Sequence, residues 1–111
     1  MDELKTTLRA LADVSRLSII RRLACCEESS VSELAESMRL SQPLISWHLS
    51  MLRRAGLVTT RRCGRLVYCR LNFAKLGWCQ AELGRLMPGA FPSADHGETW
   101  GLASDAGLPA S

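Results

Sequence analysis

Apolar residues recur at intervals of three and four along most of residues 1–87, and the intervals break at positions that can be named. Residues 3–13, ELKTTLRALAD, set Leu4, Leu8, Leu11 and Ala12 on one helical face with charged residues between them. After Asp13, VSRLSIIRRLACC predicts a second helix with Leu17, Ile20, Leu23 and Ala24 inside, Ser15 as candidate cap and Arg16, Arg21 and Arg22 outside. EESS interrupts the pattern. Ser30, followed three positions later by Glu33, has the form of a capping box, in which each side chain satisfies the other residue's amide. A third helix is expected from about Val31, burying Val31, Leu34, Ala35 and Met38. RLSQ is short enough to be a tight turn, and SQPLISWHLSMLRRAGLV reads as a helix over 42–55. Ser41 offers its side-chain oxygen to the first-turn amides, Pro43 sits where a missing N–H costs nothing, and Gly56 supplies a left-handed residue to close the helix. Ile45, Leu49 and Leu52 face inward, while Gln42, Ser46, Trp47, Ser50, Arg53 and Arg54 fall largely outward.

The periodicity then changes. LVTTRR and RLVYCRLN are rich in Val, Thr and Tyr, with CG between them, and predict a β-hairpin turning at Gly64 with Arg61, Arg62 and Arg65 toward its tip. From Phe73 to Met87 helical spacing returns, weakened by Gly77 and Gly84. Together these give a mainly α fold with a small β-hairpin, a winged helix-turn-helix of order α-α-α-α-β-β-α. The first and last helices carry more apolar surface than one small core covers, so Leu4, Leu8, Leu11, Leu76, Leu83 and Leu86 are candidates for a homodimer interface. Residues 1–87 are read as one folded domain that also dimerises, and the Pro- and Gly-rich 88–111 as a disordered tail.

Charge sharpens the assignment. The chain carries a formal net +3, yet between Glu36 and Glu82 there is no acidic residue while Arg39, Arg53, Arg54, Arg61, Arg62, Arg65, Arg70 and Lys75 all occur. The outer face of the fourth helix holds hydrogen-bonding groups, a large ring and two arginines without one carboxylate, which suits an anionic polymer. Solvated helical faces and charged strand edges use basic residues too, and a winged helix serving as a protein-docking module is the rival reading. An enzyme is not expected: there is no Cys-x-x-Cys pair and no phosphate loop. No apolar run approaches the roughly 20 residues that span a bilayer, and MDELKTTLRA lacks the features of a signal peptide, so a cytoplasmic protein without a membrane partner is expected. Five cysteines without regular spacing read as free thiols.

The stretch VSELAESMRLSQPLISWHLSMLRRAGLVTTRRCGRLVYCRLN, preceded by DVSRLSIIRRL, resembles the ArsR/SmtB family of winged-helix transcriptional repressors. The likeness runs through about residue 87 and is carried by LSQPLIS, the HL and LR-AGLV positions, and the wing's closing VYCRL. It implies a homodimer joined through the first and last helices, its two recognition helices entering successive major grooves of a palindromic operator in double-stranded DNA. By motif position, Gln42, Ser46 and Trp47 are placed at or beside base edges, and Ser41 and Ser50 nearer phosphates. Trp47 departs from the smaller polar or basic residue common there; a thymine methyl and the DNA backbone are both open to its ring.

Many members of that family leave DNA on binding a metal or metalloid. The cysteine pair of the ELC-x-C type on the third helix is replaced here by SELAES, and the last helix offers only Cys79 and Glu82 in place of an aspartate and histidine set. Cys25 and Cys26 remain as a candidate site for a thiophilic metal or metalloid inducer, with a third ligand from Cys63, Cys69, Cys79 or a partner subunit. Against this stands burial of one of the pair as an ordinary apolar residue. Oxidation between thiols is a further alternative. His48, lying between the two faces of its helix, is expected to bond within the fold rather than bind a ligand; His96 is the one other histidine.

Overall fold

The computed structural model describes residues 1–87 and Gly89; the expectation of a disordered tail falls otherwise outside the described residues, as does His96. Met1–Cys79 forms one compact unit, and a second begins at Gln80. Elements follow in the order α1 (Asp2–Leu11), α2 (Val14–Cys25), β1 (Ser29–Ser30), α3 (Val31–Met38), α4 (Gln42–Arg54), β2 (Val58–Cys63), β3 (Leu66–Leu71) and α5 (Phe73–Leu86). The expected order stands with one addition. β1 pairs antiparallel with β3, making a three-stranded sheet β1-β3-β2 in which Ser29 faces Cys69 and Ser30 faces Tyr68. Two residues are too few for alternation to show in a sequence, and Ser30 serves at once as strand end and helix cap.

The first two helices correct the expected burial. In α1 the buried residues are Leu4, Thr7 and Ala10, while Leu8 is exposed and Leu11 lies against the core's edge. Thr7 is tolerated there because its hydroxyl donates to the Glu3 carbonyl at 2.8 Å. In α2 the buried set is Arg16, Ile19, Ile20 and Leu23, whereas Leu17 and Ala24 are exposed. Both stripes have helical spacing; the one containing Arg16 prevails because partners from other elements satisfy that side chain. Asp13, not Ser15, caps α2, accepting the Arg16 amide at 3.0 Å. That hydrogen bond holds the Asp13 carboxyl below its ordinary range.

The capping box at α3 forms as expected: Glu33 N–H donates to Ser30 Oγ at 3.1 Å and Ser30 N–H to Glu33 Oε1 at 2.8 Å. The amide bond also keeps the Glu33 carboxyl below its ordinary range. The turn into α4 is made by Arg39 in the left-handed region (φ 57°), with Leu40 N–H donating to Ala35 O at 3.1 Å and the Leu40 side chain packed on the core. This helix-end motif lets two helices meet through three residues. Ile19, Leu23, Leu34, Ile45, Leu52 and Leu57 are wholly or almost wholly buried and form the centre of the core.

The exit from α4 is equally determined. Gly56 adopts φ 79°, and Asn72 then ties the base of the hairpin by donating from its side chain to Gly56 O at 2.9 Å and from its backbone to Leu57 O at 2.8 Å. Its Oδ1 also accepts the Lys75 amide at 3.2 Å, which starts α5. None of the described helices is long and apolar enough to cross a membrane.

Candidate nucleic-acid interface

Helix α4 presents its expected core side: Ile45, Leu49 and Leu52 are buried, joined by His48. Ser41 caps the helix, accepting the Leu44 amide at 3.2 Å, and Pro43 lies in the first turn. Gln42, Ser46, Trp47, Arg53 and Arg54 are exposed and Ser50 is partly so. Ser50 donates its hydroxyl to Trp47 O at 2.7 Å, leaving its oxygen free to accept but its proton engaged. On the side toward the hairpin, Ser46, Ser50 and Arg53 border a shallow depression with Val31, Thr60 and Val67. Arg53 Nη1 lies 3.5 Å from Thr60 Oγ1, so this flank of the helix meets β2.

The hairpin register runs from Val58 opposite Leu71 to Cys63 opposite Leu66, with Gly64 (φ 64°) and Arg65 in the turn. The three arginines expected at its tip separate. Arg62 precedes the turn near the end of β2 and Arg65 lies in it, both exposed. Arg61 sits further back and is committed: its Nε and Nη2 donate to the two carboxylate oxygens of Glu28 at 2.8 and 3.0 Å, and its guanidinium lies 4.9 Å from the centre of the Tyr68 ring. That fork holds the Glu28 carboxyl below its ordinary range and raises the Arg61 pKa further. Likewise Arg70 pairs with Glu27 at 3.3 Å and Lys75 with Glu3. Of the eight cations in the acid-free interval, Arg39, Arg53, Arg54, Arg62 and Arg65 have no carboxylate partner among the described residues. The sequence interval hid this, because all three neutralising carboxylates come from before it.

Behind α4 lies a polar cluster that periodicity did not reveal. Arg16 is almost fully buried; its Nε donates to Ala10 O at 2.6 Å and its Nη1 stands 3.3 Å from His48 Nδ1. A guanidinium only donates, so this contact requires Nδ1 to accept. The Asp13 carboxylate is 3.9 Å from the same nitrogen. Trp47 closes the cluster, its ring centre 5.6 Å from the Arg16 guanidinium and 5.1 Å from the His48 ring at 65°. His48 is thus held within the fold, as its place between two faces suggested.

Cys25 and Cys26 are both exposed, so neither is the buried apolar residue that was the alternative for one of them. Cys26 Sγ donates to Arg22 O at 3.1 Å. Both thiols border an open depression of about 530 Å³ with Arg21, Arg22, Ser29 and Glu33. Among the described residues no three His, Cys, Asp or Glu side chains are grouped to hold a metal ion. Cys63 is exposed, Cys69 and Cys79 are buried, and burial pushes the Cys69 thiol up to about 11.

Of the six leucines expected at a subunit interface, Leu4 is already buried within the chain, and Leu11 and Leu76 lean on its core. Leu8 and Leu86 are exposed and Leu83 is half-buried.

Comparison with known proteins agrees with this architecture. The family described as "Bacterial regulatory protein, arsR family" matches residues 13–60, from the α2 cap into β2. The arsenic resistance transcriptional regulator of Pseudomonas putida is 41% identical over 75 residues, which cover 68% of this chain but only 59% of that protein. The arsenical resistance operon repressor of Staphylococcus aureus is 42% identical over 74 residues, 67% of this chain and 70% of the repressor. The solution structure of a homodimeric winged helix-turn-helix DNA-binding domain from Mycobacterium bovis superposes with a TM-score of 0.64 at 25% identity, covering 81% of this chain and 83% of that one. With helix-turn-helix, wing and these relatives in agreement, the chain belongs to the arsR family of bacterial regulatory proteins.

Proposed function

We propose that the chain is a dimeric, sequence-specific DNA-binding regulator, a repressor of transcription acting in the cytoplasm, with residues 1–87 as its DNA-binding and dimerisation domain. The family is one of regulators, not enzymes. The observation that carries the reading is the carboxylate-free outer face of α4 beside a hairpin whose Arg62 and Arg65 have no acidic partner among the described residues. Gln42 and Ser46 read base edges, where an amide and a hydroxyl form hydrogen bonds that differ among base pairs. Ser41, Ser50, Arg53 and Arg54 meet the backbone near the recognition helix, and Arg62 and Arg65 grip phosphates or enter the minor groove beside it. Arg61 supports the wing through Glu28 before it supports any contact with DNA. Homodimeric assembly, named for the M. bovis relative, is proposed here through the exposed Leu8 and Leu86 together with Leu83; Leu4, Leu11 and Leu76 are spent mainly on the protomer's own core.

Gel shifts on randomised duplexes test the reading. Gln42→Ala with Ser46→Ala is expected to flatten preference at particular bases while retaining general affinity; unchanged preference would remove both residues from the groove. A protein that retards no duplex at physiological salt would favour the protein-docking module instead.

A second reading concerns release from DNA. Adjacent, exposed thiols at the end of α2 support a thiophilic metal or metalloid held by Cys25 and Cys26, its third ligand coming from another cysteine or from a partner subunit. Release by arsenite or cadmium that survives Cys25→Ser with Cys26→Ser would exclude that pair.

A further inference from the structure

We propose that Trp47 reads the methyl group of a thymine in the major groove, and that Arg16 is the positioning residue that holds its ring to the task; this rests on the DNA-binding reading above. Trp47 stands on the outer face of α4 in helical register with Ser50 and Arg54, and it is 53% exposed. An indole this exposed would ordinarily sample several rotamers and discriminate poorly. Here one side of it is fixed: the Arg16 guanidinium lies 5.6 Å from the ring centre, within cation–π range, and His48 meets it at 5.1 Å and 65°.

Arg16 is itself locked and unavailable to phosphate. It is 8% exposed, its Nε is spent on the Ala10 carbonyl at 2.6 Å, and its Nη1 faces His48. The α1 and α2 framework thus grips the recognition helix through a buried cation, and what the cluster offers outward is the remaining edge of an indole. That edge is hydrocarbon with a single N–H donor and no acceptor. In the major groove the matching apolar feature is the thymine C5 methyl. Packing on the sugar–phosphate backbone is the competing placement, and it would be indifferent to that methyl.

Deoxyuridine differs from thymidine by the methyl alone, so the test replaces each thymine in turn, within a duplex enriched from a random library by the wild-type protein. One position per half-site is expected to lower wild-type affinity about fourfold, the worth of one buried carbon. Trp47→Ala should bind both duplexes equally, and Trp47→Phe should recover part of the difference. Arg16→Lys keeps the charge but not the fork. It should reduce methyl discrimination while leaving the salt dependence of binding as in wild type, a pattern that general loosening of the fold would not give. Arg62→Ala should weaken both duplexes and keep the ratio. A wild-type protein that binds but ignores every methyl, or a Trp47→Ala protein that keeps the discrimination, overturns this proposal alone. If wild type enriches and retards no duplex, the DNA-binding reading falls and this one with it. Trp47 lies at the surface, so its arm stands even where Arg16→Lys does not fold.

Discussion

Burial separates five cysteines of one sequence into two chemical classes. Cys69 is fully enclosed at the centre of the sheet, where the charged thiolate is disfavoured and the pKa rises to about 11; Cys79 is nearly as enclosed. Cys25, Cys26 and Cys63 stand in solvent. A neutral disulfide reagent at pH 8 should therefore modify three thiols rapidly in the native protein and the other two only after denaturant is added. Fast modification of Cys69 as well would show that the sheet opens under native conditions, and of Cys79 that α5 leaves its buried position. The same distinction bears on sensing: the thiols that an inducer or oxidant reaches first are those at the end of α2 and at the wing tip, not those of the core.

At the scale of elements, α2 depends on the residue that caps it. Asp13 accepts the Arg16 amide and faces the positive end of the helix, so replacing it with alanine should cost about 1 kcal/mol in urea unfolding. The pH dependence has a definite sign. The folded carboxyl is held below its ordinary value of 3.8, so its contribution is complete above that value and is lost as pH falls through the depressed one. Asp13→Asn keeps a capping oxygen but no titrating charge; its melting temperature should fall less steeply than wild type's below pH 4. Equal slopes would assign acid sensitivity to other carboxylates, such as Glu28 and Glu33. The start of this helix also marks how far sequence reading reaches. The caps at Ser30 and Ser41, the core side of α4 and the hairpin were legible because each is encoded within a few neighbouring residues. Whether α2 buries Arg16 or Leu17 was not, because both choices have helical spacing. The decision rests on Ala10 and on His48, 32 residues away. The pairing of Arg61 with Glu28 escaped for the same reason: across 33 residues the two meet only once β1 joins β3 beside β2.

For the whole molecule, the relevant charge is what remains after internal pairing, multiplied by the number of protomers on the DNA. Arg61, Arg70 and Lys75 answer to Glu28, Glu27 and Glu3, so the contacts most available to phosphate are Arg62 and Arg65 on the wing and Arg53 and Arg54 on α4. Each phosphate neutralised adds about 0.9 to the slope of log affinity against log salt. If Arg62 and Arg65 take one phosphate each, replacing both with alanine should lower that slope by about 3.6 when two protomers bind and by about 1.8 when one does. The slope thus counts subunits without assuming a stoichiometry. Arg61→Ala should change it less than Arg62→Ala, since the Arg61 guanidinium is already neutralised by a two-oxygen fork. Introducing Leu8→Glu, which places a charge on the exposed face of α1, should move the wild-type protein toward half its original slope if that face joins the protomers. A slope unaffected by Leu8→Glu, with a dimer still present in sedimentation, would place the interface elsewhere and leave Leu8 an ordinary surface leucine.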